Sequence, residues 1–173
     1  MDKISTSIQY QLSNVKLIND IFGNFAEFDK VLKAGPNAMK EYLYNQWMDI
    51  KELVKDNENV EIKDLDKEVT IDDFDVTFNR TQNGSAIFYF KFPDYEYFDA
   101  ASKYVALAIT KEGIKYFTYE YSKHLATNQP CWVIGEFYIQ DGKINHRNYG
   151  THDENNLSWF AGFVVGFLET NNL

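Results

Sequence analysis

The sequence predicts an α+β fold: an N-terminal antiparallel helix pair, a five- to six-stranded antiparallel meander sheet, and a C-terminal buried helix packed on the sheet. Three observations predict it. Apolar residues recur every three or four positions in the first third of the chain, alternate with polar residues from about residue 60, and return to helical spacing after residue 151. We therefore expect a single domain spanning 1–173, with a helical hairpin at 1–57, an antiparallel sheet at 58–150 and a C-terminal helix at 151–173.

Two apolar stripes predict the helix pair. The first consists of Val15, Ile18, Phe22, Phe25 and Leu32, and the second of Met39, Leu43, Trp47, Ile50 and Val54. Gly35 and Pro36 lie between them. Glycine readily takes the left-handed conformation that ends a helix, and proline is favoured at the first position of the next one. The spacing thus predicts two helices joined by a short turn.

Alternating patterns and turn residues predict the strands. Asp72-Asp73 interrupts an alternating run, which indicates a bulge or a corner, and Asn83-Gly84 and Gly113 mark later turns. Asp141-Gly142 is typical of a two-residue hairpin, and it sets a register in which Glu136 faces Arg147 and Tyr138 faces Asn145. With helices on one side only, we expect the other face of the sheet to be open to a partner.

The last segment predicts a helix with a capping box. Thr151 and Glu154 have the spacing at which two side chains cap each other's backbone N–H groups. The predicted core face contains Leu157, Phe160, Ala161, Val164 and Leu168. Gly162 and Gly166 are four residues apart, and we expect them to allow close packing against the sheet.

Composition excludes several classes of protein. The chain has 26 acidic and 17 basic residues, and residues 58–78 alone hold eight acidic and two basic ones. Such a balance argues against nucleic-acid binding, which needs a basic surface. One cysteine, Cys131, excludes a disulfide scaffold and a zinc site of several thiolates. No phosphate-binding loop and no metal-ligand spacing of histidines occurs, so we expect no cofactor and no metal site. No signal-like or membrane-spanning apolar run occurs either, so we expect no membrane contact and a cytoplasmic location. The oligomeric state stays open.

An acidic, tyrosine-containing surface is the first candidate site. It comprises Asp72, Asp73, Asp75, Asp94, Tyr95, Glu96 and Tyr97. Tyrosine is enriched at protein interfaces, and clustered negative charge steers a basic partner. We therefore expect a non-enzymatic protein-binding module that binds a basic protein. In general character it resembles the small acidic immunity proteins with which bacteria neutralise their own toxins.

The alternative is a small-molecule-binding protein or hydrolase with a pocket between sheet and helices. Its polar groups would be Glu120, Glu136, His146, Arg147 and Tyr138. Two carboxyl groups at a fixed separation catalyse the hydrolysis of glycosides. The sequence leaves open whether Glu120 and Glu136 share a face of the sheet, because the segment between their strands does not fix the register.

Overall fold

Helices near the N-terminus, a six-stranded antiparallel sheet and a C-terminal helix make up the structure, which confirms the predicted α+β class. The structure is a computed structural model, and it describes residues 17–21, 23, 25–55, 69–91, 101–123 and 130–173. Strand order in the sheet follows chain order from the first strand to the sixth, so the predicted meander is confirmed.

The elements have the following bounds. Residues 17–21 are helical and are followed by α1 (Phe25–Ala34), α2 (Pro36–Lys55) and a 3-10 helix (Ile71–Asp73). The strands are β1 (Val76–Arg80), β2 (Ala86–Phe90), β3 (Ala101–Thr110), β4 (Gly113–Lys123), β5 (Pro130–Gln140) and β6 (Lys143–His152), and α3 (Leu157–Thr170) follows them. The predicted corner at Asp72-Asp73 is the 3-10 helix.

Contacts along the chain group the residues into two units. The first comprises Met1–Val76 and Lys91–Ala101 and carries α1 and α2. The second comprises Thr77–Phe90 and Ser102–Leu173 and carries most of the sheet together with α3. The assignment of 1–173 to one domain stays a prediction.

In the helical unit, the predicted turn between the helices is confirmed. Gly35 has φ = +96°, its N–H donates to the Val31 carbonyl at 3.2 Å, and α2 begins at Pro36. The first apolar stripe is wrong at Phe25, which is 48% exposed, whereas Phe28 is buried. Met39, Leu43 and Trp47 are buried as predicted. Val15, Phe22 and the side chains of Ile50 and Val54 lie outside the described residues.

In the sheet unit, the hairpin register is confirmed. Glu136 pairs with Arg147 and Tyr138 with Asn145 across the Asp141-Gly142 turn. Further along, Ile134 pairs with Gly150 but Gly135 pairs with Asn148, so Tyr149 is an extra residue on β6. Such a bulge bends the strand and re-aims its side chains.

One face of the sheet, the helix face, packs against α3. Phe117 and Tyr119 of β4 and Ile134 of β5 join Phe160 and Val164 of α3 in one buried cluster. Tyr119 stacks on Phe160 at 5.2 Å between ring centroids, and its hydroxyl accepts a hydrogen bond from the Asn156 N–H at 2.7 Å. These contacts hold the start of α3 on the sheet.

The opposite face, called here the second face, carries buried side chains as well. Phe88, Leu107, Tyr116, Thr118 and Phe137 are each no more than 2% exposed. The expectation that this face is open to solvent is therefore wrong for these residues.

The start of α3 and the role of its glycines also differ from the prediction. β6 continues to His152, with Thr151 paired to Val133, and the helix is capped instead by Asn156, whose side chain accepts from the Trp159 N–H at 3.0 Å. A Cβ at Gly162 or Gly166 would meet no described heavy atom within 4 Å, so neither glycine packs closely against the sheet. Leu157, predicted to be in the core, is 42% exposed.

Candidate functional site

The acidic turn, defined as residues 70–75, projects its carboxylates outward. Asp72, Asp73 and Asp75 are exposed, and Phe74 between them is fully buried. The Phe74 ring meets Tyr44 of α2 edge-on at 6.3 Å, and the Asp73 carboxylate accepts a hydrogen bond from the Thr70 N–H at 2.7 Å. A buried aromatic anchor and a local hydrogen bond thus fix the backbone that carries these charges.

The other half of the predicted partner surface lies outside the described residues. It consists of Asp94, Tyr95, Glu96 and Tyr97. Its inclusion in the partner surface stays a prediction.

The five residues of the alternative pocket divide between the two faces of the sheet. On the helix face, Glu136 lies opposite Phe117. Tyr138 alternates onto that same face, and the Arg147 guanidinium lies 3.9 Å from its ring centroid. On the second face, Glu120 and His146 approach each other. Glu120 and Glu136 therefore lie on opposite faces, and the structure does not bring them together as a catalytic carboxylate pair.

Glu136 is buried on the helix face beside one hydrogen-bond donor and one cation. The Tyr149 hydroxyl donates to Glu136 Oε1 at 2.5 Å, and Arg147 Nε lies 3.6 Å from the same oxygen. Burial, followed by the bond to Glu136, raises the pKa of Tyr149 well above its usual value. Arg147 is half-exposed and Glu136 is 4% exposed, so the buried carboxylate is compensated from the solvent side. Tyr149 and Arg147 thus compensate the burial of the Glu136 carboxylate.

Buried Glu120 and partly buried His146 lie next to each other on the second face. His146 Nε2 lies 3.7 Å from Glu120 Oε1, which also accepts a hydrogen bond from the Thr118 hydroxyl at 2.9 Å. Burial raises the pKa of Glu120 to about 8 and lowers that of His146. Both shifts favour the uncharged forms of the two side chains, and at 3.7 Å the two groups are neighbours without a hydrogen bond between them. Nε2 of His146 is buried and makes no hydrogen bond within the described part of the chain.

Sequence reasoning missed three residues of these clusters: Thr118, Gly135 and Tyr149. A Cβ at Gly135 would lie 2.4 Å from His146 Nε2, so only glycine lets the imidazole cross β5 toward Glu120. An isolated glycine inside a strand is a known sign of close approach and could have indicated this position. Nothing in the sequence marks Tyr149 as a bulge.

The described ranges contain neither a candidate metal site nor a candidate membrane span. No group of three or more His, Cys, Asp or Glu side chains there could hold a metal ion. No helix in that same part of the chain is long and apolar enough to cross a bilayer.

A shallow groove of about 350 Å³ runs along α3. Gly162, Gly166, Phe163 and Phe167 line most of it, and the Phe163 ring packs on Tyr149 at 4.9 Å. The two glycines that were expected to face the sheet thus line this groove instead.

Comparison with known proteins places the chain in no family. No family model, no curated protein and no solved structure matches it.

Proposed function

We propose that this protein is a non-enzymatic, cytoplasmic protein-binding module that captures a basic protein, in the manner of an immunity protein. The acidic turn is the observation that carries this proposal. Its three exposed carboxylates stand on a backbone fixed by Phe74, so little ordering is needed on binding. Ile71, 39% exposed, supplies apolar area beside them. Opposite charge on the partner would raise the association rate, and salt would lower it.

The test compares two charge-reversed variants. One carries Asp72→Lys and Asp75→Lys and keeps Asp73, whose carboxylate holds the turn. The matched control carries Glu112→Lys and Glu154→Lys, which are exposed acidic residues of the sheet unit. Both raise the formal net charge by the same amount. Each protein is immobilised, exposed to an extract of the native host at low salt, and the retained basic polypeptides are quantified by mass spectrometry.

We expect wild type and control to retain the same basic polypeptide, and the Asp72/Asp75 variant to lose most of it. Retention should fall as salt is raised, because exposed charges are screened. Equal retention by the two variants would exclude the acidic turn as the binding surface. If wild type retains no basic polypeptide, the proposed function is wrong.

A second function, small-molecule binding or hydrolysis, is favoured by the Glu120–His146 pair alone. General acid–base catalysis uses carboxyl groups of raised pKa, and Glu120 is such a group with His146 at 3.7 Å. Thermal-shift screening of small metabolites against wild type and His146→Ala would test it. A compound that stabilises wild type but not the variant would support this function over the first.

A further inference from the structure

The turn between β1 and β2 contains Asn83-Gly84, the single asparagine–glycine pair of the chain. Gln82, Asn83 and Gly84 are exposed. The Gly84 N–H donates to the Thr81 carbonyl at 3.0 Å, the Thr81 N–H donates to the Ser85 carbonyl at 2.9 Å, and Gly84 has φ = +88°. This geometry is that of a three-residue hairpin loop, in which a type I turn is followed by glycine in the left-handed region.

The Asn83 side chain lies beside a backbone nitrogen that nothing shields. The Asn83 amide makes no hydrogen bond within the described part of the chain, and a Cβ built on Gly84 would meet no described heavy atom within 4 Å. Because glycine has no side chain, its backbone nitrogen is open to the Asn83 amide carbon and to solvent. Its hydrogen bond to Thr81 restrains this nitrogen, but in an exposed turn such a bond contributes little.

The same turn is anchored to the core through Ser85. Ser85 is 4% exposed, its hydroxyl donates to the Leu173 carbonyl, and its N–H donates to the Thr81 hydroxyl at 3.1 Å. Leu173 packs in the buried cluster that includes Leu168 of α3. All of these residues belong to the sheet unit. The backbone geometry of residues 81–85 therefore determines whether Ser85 reaches Leu173.

We infer that Asn83-Gly84 is a self-modification site, at which Asn83 converts spontaneously to isoaspartate and thereby releases Ser85 from Leu173. The inference goes beyond the proposed function, since it involves neither the acidic turn nor a partner. The reactive amide, the attacking nitrogen and the anchor that is lost all lie within one hairpin.

Water is the only co-reactant of this conversion. The Gly84 nitrogen loses its proton to hydroxide and attacks the Asn83 amide carbon, and the new C–N bond closes a five-membered succinimide while the amide nitrogen leaves as ammonia. Water then adds to the main-chain carbonyl carbon of Asn83 and breaks its bond to the Gly84 nitrogen. The chain now runs through the side-chain carbon, and the former main-chain carbonyl is a free carboxylate. No atom is oxidised or reduced.

Isoaspartate adds one carbon atom to the main chain inside the turn. The added atom moves Gly84 away from the Thr81 carbonyl and Ser85 away from the position in which it donates to Leu173. Turn type and loop length fix the register of a hairpin, so the pairing of β1 with β2 is weakened as well. The new negative charge is a separate effect, and ordinary aspartate at residue 83 reproduces it.

Ageing of the folded protein in mildly alkaline buffer tests the inference. Wild type, Asn83→Ser and a free peptide with the sequence of residues 79–87 are incubated in parallel, in water labelled with heavy oxygen. Peptide mapping by mass spectrometry quantifies deamidation, and electron-transfer fragmentation distinguishes isoaspartate from aspartate. Asn79 is the internal control, because it is exposed on β1 but is followed by Arg80. Urea unfolding before and after ageing measures stability.

We expect wild type to gain isoaspartate and one labelled oxygen at residue 83, while Asn79 stays unchanged. Conversion should be about twofold to tenfold slower than in the peptide, because the hydrogen bond of Gly84 must open first. The urea midpoint should fall on ageing in wild type and stay constant in Asn83→Ser. Freshly purified Asn83→Asp, which has the charge without the extra carbon atom, should unfold like unaged wild type.

Ser85→Ala isolates the anchor. It should be less stable than wild type before ageing and should lose less stability on ageing, because the contact with Leu173 is already absent. Two results would overturn the inference. One is Asn83 that stays intact in the folded protein while the free peptide converts. The other is an aged, isoaspartate-containing wild type that unfolds at the same urea concentration as fresh Asn83→Asp.

Discussion

The imidazole of His146 crosses β5 over the backbone of Gly135, so close that a Cβ on the glycine would stand 2.4 Å from Nε2. This crossing brings a β6 side chain to within 3.7 Å of Glu120 on β4, although β5 separates the two strands. Because Gly135 has no side chain, the side chains of Glu120 on β4 and His146 on β6 can meet across β5.

Gly135→Ala should destabilise the sheet unit. The methyl group clashes with the His146 ring, and crowding of this kind in a packed interior costs about 1–3 kcal/mol. Denaturant unfolding measures the loss. In a His146→Ala background the same substitution should cost much less, because the clashing ring is absent. Equal costs in the two backgrounds would show that the crossing has no energetic consequence.

Glu120 should make stability fall as pH rises. Its pKa is about 8 in the folded protein against an ordinary 4.5. The folded state therefore binds this proton more tightly than the unfolded state does, and the resulting contribution to stability is lost as pH rises from 4.5 to about 8. His146, with its lowered pKa, acts in the opposite direction below its ordinary 6.5. Glu120→Gln removes the Glu120 contribution and should gain a few kcal/mol over wild type from pH 5 to pH 9. Denaturant unfolding at several pH values measures this.

The control for that experiment is Glu112→Gln. Glu112 is exposed in the β3–β4 turn, so its substitution should leave the pH dependence of unfolding as in wild type. A flat difference between wild type and Glu120→Gln across this pH range would mean that Glu120 keeps an ordinary affinity for its proton.

Tyr149→Phe should destabilise the protein by about 1–3 kcal/mol, because it removes a donor to the buried Glu136 carboxylate. Tyr138→Phe is the matched control on the same face. The Arg147 guanidinium lies over the Tyr138 ring, and this contact does not need the Tyr138 hydroxyl. Tyr138→Phe should therefore lower the free energy of unfolding by less than about 0.5 kcal/mol. Equal losses in urea unfolding would argue against a special role for the Tyr149 hydroxyl.

Gly162→Ala and Gly166→Ala should each stabilise α3. Glycine inside a helix costs about 0.5–1 kcal/mol relative to alanine, and a Cβ at either position meets no described atom within 4 Å. The melting temperature should therefore rise in each variant. A fall would show that the glycines are required by a contact outside the described residues.

Much of the strand pairing could be predicted from local sequence, whereas the side-chain clusters around Glu120 and Glu136 could not. The Asp141-Gly142 turn sets the pairing of Glu136 with Arg147, because a two-residue hairpin fixes the register. The approach of Glu120 to His146 depends on the pairing of β4 with β5, and the segment between those strands does not determine that pairing. It depends also on Gly135, whose lack of a side chain leaves no periodic signal.

The capping box at Thr151 failed for a physical reason. Its two residues match a helix start, but Thr151 pairs with Val133 in the sheet, and strand pairing outweighs a cap worth about 1 kcal/mol. Asn156, another residue of good capping type, takes the role instead. Short motifs compete with the tertiary structure around them, whereas long periodic patterns reflect it.

Because strand order follows chain order, the connections between neighbouring strands hold only two to ten residues. Closing short loops loses little chain entropy, and such topologies fold faster than those built on distant pairings. We expect the meander to assemble hairpin by hairpin, while Phe117, Tyr119 and Ile134 stay uncovered until α3 docks. During synthesis on the ribosome α3 emerges last of these elements, so the nascent sheet exposes this apolar surface to aggregation in that interval.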